Sequence, residues 1–212
     1  MTKKSLLLYA ITDRSWLKEN TLEQTVEEVL RGGATFLQLR EKMLDRPAFL
    51  AEAKRIKAVA AIYQVPFVVN DDIEIALESD ADGVHVGQSD IKEKDVRALI
   101  GPDKILGISA NTVETAQAAQ AAGADYIGVG AVFPTGTKGD AVQITPAALA
   151  EISAAVTIPV VAIGGITEEN LPTLANCGIA GAAIISAIFK ASCPEAATRR
   201  LRRLAEAVVA HG

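Results

Sequence analysis

Short apolar runs recur along the whole chain: LLLYAIT (6–12), ATFLQLR (34–40), PFVVN (66–70), DGVHVG (82–87), KILGIS (104–109), DYIGVG (125–130), PVVAIG (159–164) and GAAIIS (181–186). Most are continuously apolar rather than alternating, the pattern of strands covered on both faces in a parallel sheet. Segments of helical period lie between them. Over 21–31, Leu22, Val26, Val29 and Leu30 form one stripe, with Asn20 and Glu23 placed as a capping box and Gly32 as the stop. Thr145 followed by Pro146 predicts an N-cap and a first-turn proline for a helix to about residue 154. A last helix begins at Pro194 and turns Ala197, Leu201, Leu204 and Val208 inward, which leaves Arg199, Arg200, Arg202 and Arg203 mostly on a solvated face.

The second, fourth, sixth and eighth runs are each entered through glycine and small residues: RGGATFLQL, SDADGVHVG, AAGADYIGVG and CGIAGAAII. Alternation between odd and even strands suits a closed (β/α)8 TIM barrel, whose interior layers draw on alternate strands; an open doubly wound α/β sheet is the alternative. No linker-like stretch interrupts the repeat, so residues 1–212 are expected to form a single barrel domain.

Composition narrows the function classes. The chain is 50% hydrophobic but only 4% aromatic, so Val, Ile, Leu and Ala must build the core. A formal net charge of −5 argues against a general nucleic-acid binder. The apolar run near the N-terminus is too short for a signal or a span, which needs ~20 apolar residues, so no membrane association is expected. Cys177 and Cys193 have no metal-ligand spacing around them, and a reduced, cytoplasmic setting is the expectation. Nothing in the pattern speaks against a homo-oligomer.

In a barrel of this kind chemistry sits at the C-terminal ends of the strands, and polar residues cluster there. The second strand ends in QLREK with Gln38, Arg40 and Lys42; the third in Asn70, Asp71 and Asp72; the fourth in GQSD with Gln88 and Asp90; the fifth in Ser109. The sixth runs into FPTGTK, where Thr135, Gly136, Thr137 and Lys138 gather hydroxyls, backbone N–H groups and an ammonium suited to a phosphate; a plain surface turn is the other reading. Gly164, Gly165 and Ser186 follow the seventh and eighth strands. Asp71 and Asp90 each precede a glutamate by three residues, Glu74 and Glu93, and are therefore also candidate helix caps. His85 lies within a strand, where an interior, hydrogen-bonded role competes with that of a base. Neither cysteine sits at a strand end, so neither is a nucleophile candidate.

The pieces YAITD, QLREK, ND, ADGVHVGQSD, GIS, GADYIGVGAVFPTGTK, AIGGI and IISAI, in this order from residue 9 to 188, resemble the thiamine phosphate synthase (thiamine-phosphate pyrophosphorylase) family. The resemblance implies a (β/α)8 barrel that joins hydroxymethylpyrimidine diphosphate to thiazole phosphate, giving thiamine monophosphate and pyrophosphate with Mg²⁺. It assigns Gln38, Leu39, Arg40, Glu41 and Lys42, with Asn70, Ser109 and Lys138, to the pyrimidine diphosphate. Asp71 and Asp90 become Mg²⁺ ligands, and Thr135, Gly136, Thr137, Gly165, Ile185 and Ser186 bind the thiazole phosphate. Arg40, Lys42, Ser109 and Lys138 carry the catalytic roles. Ser89 stands where many relatives have an acid, beside an intact Asp90. The implied route is dissociative: pyrophosphate leaves, and the thiazole nitrogen captures the pyrimidine carbocation with its own lone pair, so no strong base is needed. A related thiazole tautomerase on the same barrel has no use for a diphosphate clamp, and a non-catalytic phosphate-binding barrel is the remaining alternative.

Overall fold

Each of the eight apolar runs forms a strand, and all but the fifth strand are shorter than their runs. The structure, a computed structural model, describes residues 2–17, 19–89, 95–136 and 143–210. The strands are β1 (Leu8–Ile11), β2 (Phe36–Leu39), β3 (Phe67–Asn70), β4 (Gly83–Val86), β5 (Ile105–Ala110), β6 (Tyr126–Val129), β7 (Val160–Ile163) and β8 (Gly181–Ile184). Every neighbouring pair is parallel, and β8 closes on β1 with Tyr9 opposite Ala183, giving a closed (β/α)8 barrel rather than an open sheet.

Both faces are buried, yet the period of two persists as a choice between two cores. Leu8, Ala10, Leu37, Leu39, Val69 and Val86 point outward into the layer beneath the helices. Tyr9, Ile11, Phe36, Val68, Tyr126, Val161 and Ala183 point inward and fill the barrel. The outer ring contains α1 (Leu22–Arg31), α2 (Arg46–Ile62), α3 (Ile73–Glu78), α4 (Val96–Ile100), α5 (Val113–Ala121), α6 (Pro146–Ala154), α7 (Ser186–Phe189) and α8 (Pro194–Ala210). None of these helices is long and apolar enough to cross a membrane.

Three sequence expectations change at the residue level. The first strand does not start at Leu6: residues Lys3–Leu6 form a 3₁₀ turn that drives the Leu6 side chain into the inner core. The box that opens α1 is Thr21 with Gln24, not Asn20 with Glu23. Thr21 Oγ1 accepts from the Gln24 N–H at 3.2 Å and Gln24 Oε1 accepts from the Thr21 N–H at 2.9 Å, whereas Asn20 Nδ2 donates to Glu28 at 3.1 Å. The α8 arginines are more than a solvated face: Arg200 grips Glu168 through both carboxylate oxygens, and Arg202 donates to the Gly33 carbonyl at 2.9 Å. Thr145 and Pro146 open α6 as expected, with Thr145 Oγ1 accepting from the Ala148 N–H at 3.1 Å.

Candidate active site

Strand β2 alternates its side chains between the two cores, and this decides the fate of each residue in QLREK. Gln38 points into the barrel, where its Nε2 donates to the Tyr9 hydroxyl at 2.6 Å. Leu39 points outward into the core beneath the helices, so its side chain stands apart from the barrel mouth. The Arg40 N–H donates to Thr12 Oγ1 at 3.0 Å, tying the ends of β1 and β2 together. Glu41 folds back into the protein with only 2% of its side chain exposed. Both of its oxygens accept from Arg14 Nε, at 3.2 and 3.3 Å, and Arg14 Nη2 reaches Glu52 at 2.8 Å. Burial works against the Arg14 charge, but the two carboxylates outweigh it and hold its pKa above the usual arginine range. Glu41 thus anchors the turn that carries Arg40 and Lys42.

At the end of β3, Asn70 Nδ2 donates to Asp71 Oδ2 at 2.6 Å. Asp71 sits at φ +63°, a left-handed conformation that Asp tolerates better than most residues, and its N–H donates to the His85 carbonyl at 2.8 Å. The cap of α3 is the next residue: Asp72 Oδ1 accepts from the Ile75 N–H at 2.8 Å. Glu74, which a capping box on Asp71 requires, pairs instead with Arg46 at 2.7 Å. The helix-cap reading of Asp71 is therefore overturned, and its carboxylate is left at the C-terminal end of the barrel. On β5, Ser109 Oγ lies 3.0 Å from His85 Nε2, and its carbonyl accepts from Gln88 Nε2 at 2.7 Å. His85 is the interior, hydrogen-bonded residue of the blander expectation.

A cavity of about 880 Å³ opens at the same end of the barrel. Arg40 and Lys42 line it from the turn after β2, Thr135 and Gly136 from the loop after β6, Gly165 from the turn after β7, and Ser186 from the start of α7. Gly165 has φ +64°, and a Cβ there would stand 2.4 Å from the Pro134 carbonyl oxygen, so only glycine lets the β6 and β7 loops meet. Ile185 precedes Ser186 and packs against the inner core. Asn70, Asp71 and Ser109 belong to the β3 and β5 ends of the same rim. Asp90, Thr137 and Lys138 lie outside the described residues.

The family model for thiamine monophosphate synthase matches residues 8–188. The chain belongs to the thiamine monophosphate synthase family. It is 49% identical over 201 residues to the thiamine-phosphate synthase of Methanobrevibacter smithii, covering 95% of this chain and 96% of that one. A Clostridium tetani protein of the same name is 48% identical over 193 residues, with 89% and 92% covered. Among solved structures, the thiamine phosphate pyrophosphorylase of Pyrococcus furiosus superposes with a TM-score of 0.89 at 38% identity, covering 97% of this chain and 98% of that one. Membership makes the chain a transferase of thiamine biosynthesis, and it implies the use of Mg²⁺.

Several residues that line the cavity were not singled out in the sequence. Asp13, Arg14, Trp16, Thr167 and Lys190 also line the cavity, and Lys190 Nζ lies 5.0 Å from the centre of the Trp16 ring, a cation–π contact between the β1 and β8 loops. The signals existed: Trp16 is the single tryptophan of an aromatic-poor chain, and Lys190 follows Ser186 by one helical turn. The described residues hold no cluster of three or more His, Cys, Asp or Glu side chains suited to a metal. Magnesium needs less, taking one or two carboxylates and completing its shell with water and substrate phosphate oxygens. Asp71, a hard oxygen donor relieved of capping duty, fits that demand.

Proposed function

We propose that the residues around this barrel mouth couple hydroxymethylpyrimidine diphosphate with thiazole phosphate by a dissociative displacement, within one barrel domain spanning residues 1–212. The observation that carries the reading is the shared cavity: cations from the β2 turn face hydroxyls and amides from the β6, β7 and β8 loops. Two anions of different shape would find opposite walls of one space.

In this reading Arg40 and Lys42, with Asn70, Ser109 and Lys138, hold the diphosphate, and Gln38 orients the pyrimidine. Thr135, Gly136, Thr137, Gly165, Ile185 and Ser186 seat the thiazole phosphate, and Glu41 acts by fixing the turn that bears its cationic neighbours. Asp71 and Asp90 would hold Mg²⁺, which when bound neutralises diphosphate oxygens and stabilises the departing pyrophosphate. As the methylene–oxygen bond breaks, its electron pair leaves with pyrophosphate. The preorganised cations stabilise the charge that develops there, and the thiazole nitrogen, held in line, supplies the pair for the new bond. No proton need be abstracted, so an interior His85 and two cysteines with no role are consistent with the chemistry. The unpaired Cys177 and Cys193 suit a reducing, cytoplasmic setting.

The test is a direct assay. Purified protein, both phosphorylated substrates and Mg²⁺ should yield thiamine monophosphate, read by oxidation to fluorescent thiochrome phosphate. Asp71→Asn should lower the rate on the order of 10²-fold and raise the Mg²⁺ concentration needed for half-maximal rate, as loss of a charge-stabilising group does. Unchanged Mg²⁺ dependence in that variant would remove Asp71 from the metal site. Absence of product from the unaltered protein would leave a non-catalytic phosphate-binding barrel as the reading.

A further inference from the structure

Aliphatic side chains alone can fill a small parallel barrel, but this interior holds two tyrosines and a histidine joined by their polar atoms. Tyr9 Oη lies 2.8 Å from Tyr126 Oη, Tyr126 Oη lies 3.0 Å from His85 Nδ1, and His85 Nε2 lies 3.0 Å from Ser109 Oγ. With the Gln38 amide on Tyr9, the chain of contacts crosses the barrel from β2 to β5. Gln38, Tyr9, Tyr126 and His85 are 2%, 1%, 0% and 8% exposed, so water does not substitute for a missing partner along the way. The barrel makes room for this chain. A Cβ on Gly107 would stand 2.3 Å from Tyr126 Oη and 2.5 Å from His85 Nδ1, and one on Gly128 would stand 3.2 Å from His85 Cε1. Two inward strand positions thus carry no side chain where the phenol and the imidazole pass.

One order of protons satisfies every contact in the chain, each of whose hydroxyl and ring-nitrogen links could run either way. Burial pushes both phenols above their usual range, so each keeps its one proton. In that order Gln38 Nε2 donates to Tyr9, and the Tyr9 proton goes to Tyr126 Oη. The Tyr126 proton then points at His85 Nδ1. In this order that nitrogen is bare, and the imidazole carries its proton on Nε2 and donates it to Ser109 Oγ. Ser109 has accepted, and its own proton turns away from His85. A phosphate oxygen accepts hydrogen bonds and offers no proton, so a serine whose hydroxyl is held as a donor is what a diphosphate requires. The opposite order would turn the Ser109 proton back onto the imidazole.

We propose that Gln38, Tyr9, Tyr126, His85 and Ser109 form a one-way hydrogen-bond relay, in which Tyr126 and His85 are positioning residues that present the Ser109 hydroxyl as a donor to the leaving diphosphate. The proposal rests on the reading of Ser109 as a diphosphate contact.

Two measurements test it. The chain contains only two histidines, His85 and His211, so two-bond nitrogen–proton NMR on labelled protein, with His211→Gln for assignment, resolves the His85 ring. The expected signature at neutral pH is a protonated Nε2 and a bare Nδ1, lost in Tyr126→Phe. Any other pattern in the unaltered protein, or the same pattern in Tyr126→Phe, overturns the ordering. In kinetics, Tyr126→Phe should lower kcat about tenfold, the scale of one buried hydrogen bond, with KM for the pyrimidine diphosphate nearly unchanged. The same substitution in a Ser109→Ala background should cost nothing further. An equal cost in both backgrounds would mean that Tyr126 serves the fold and not Ser109, and would overturn the relay. Wild-type kcat in Ser109→Ala alone would instead overturn the reading of Ser109, while the NMR pattern still decides the proton order. Should Tyr126→Phe not fold, His85→Asn with and without Ser109→Ala takes the kinetic test, and the NMR pattern of the unaltered protein still decides the proton order.

Discussion

Where β3 gives way to α3, two neighbouring aspartates divide two tasks. Asp72 accepts the Ile75 N–H and caps the helix, while Asp71, at φ +63°, accepts from the Asn70 amide at the C-terminal end of β3. In sequence the first aspartate has a glutamate three residues on and the second has an isoleucine, so the spacing favours the wrong one as the box. Backbone conformation decides instead, because the left-handed turn at Asp71 places the extended cap geometry one residue later. Asp72→Ala is therefore expected to lose about 1 kcal/mol of stability, the usual worth of such a cap. Asp71→Asn is expected to stay within about 0.5 kcal/mol of the parent, since it removes no cap. Urea unfolding of the two variants checks both values, and equal losses would return Asp71 to a structural role. All of Arg40, Glu41 and Lys42 line the cavity, but the Glu41 carboxylate is committed to Arg14. The motif names all of them without distinguishing anchor from ligand.

Among the elements, strand positions were the most legible. Runs of Val, Ile, Leu and Ala bounded by glycine and polar residues can bury both faces only in a covered parallel sheet, and all eight appear within two residues of the expected bounds. Ends were less legible because caps depend on which short polar residue takes the extended conformation. At α1 that residue is Thr21, and its reciprocal bonds with Gln24 leave Asn20 on an exposed contact with Glu28. Thr21→Ala should lower stability by about 1 kcal/mol, while Asn20→Ala should change it by less than about 0.5 kcal/mol. A reversal of that order in thermal or urea unfolding would restore the Asn20–Glu23 box. Gly32 ends the helix as expected, with an ordinary helical φ of −67°. Its smallness answers a different need, for a Cβ there would stand 2.6 Å from both the Glu195 carbonyl oxygen and Thr198 Cβ, where α8 crosses the end of α1. That contact joins residues far apart in the chain and leaves no local trace.

For the molecule as a whole, the aromatic plug has a consequence for stability against pH. Tyr9, Phe36 and Tyr126 pack edge to face with ring centres 4.6 to 5.8 Å apart, and burial raises both phenols above the usual pKa of 10.0. Below that value the folded and unfolded chains hold these protons equally. Above it the unfolded chain releases them first, so it binds fewer protons and stability falls as pH rises. Unfolding free energy should therefore decline from about pH 10 upward, and Tyr9→Phe should flatten the decline whatever it does to stability at neutral pH. An identical slope in the two proteins would mean that the phenol is not held neutral by the fold. The sequence by itself determined the strand count, the parallel covered sheet and about half of the residues that line the cavity, because hydrophobic period and the order of motifs are local properties of the chain. Only the tertiary structure decided the closure of β8 on β1, the separation of anchoring from ligand-facing residues, and the path of hydroxyls across the barrel. Those features depend on which way side chains point once distant strands are brought side by side, a matter of register and available space that no single stretch of chain encodes.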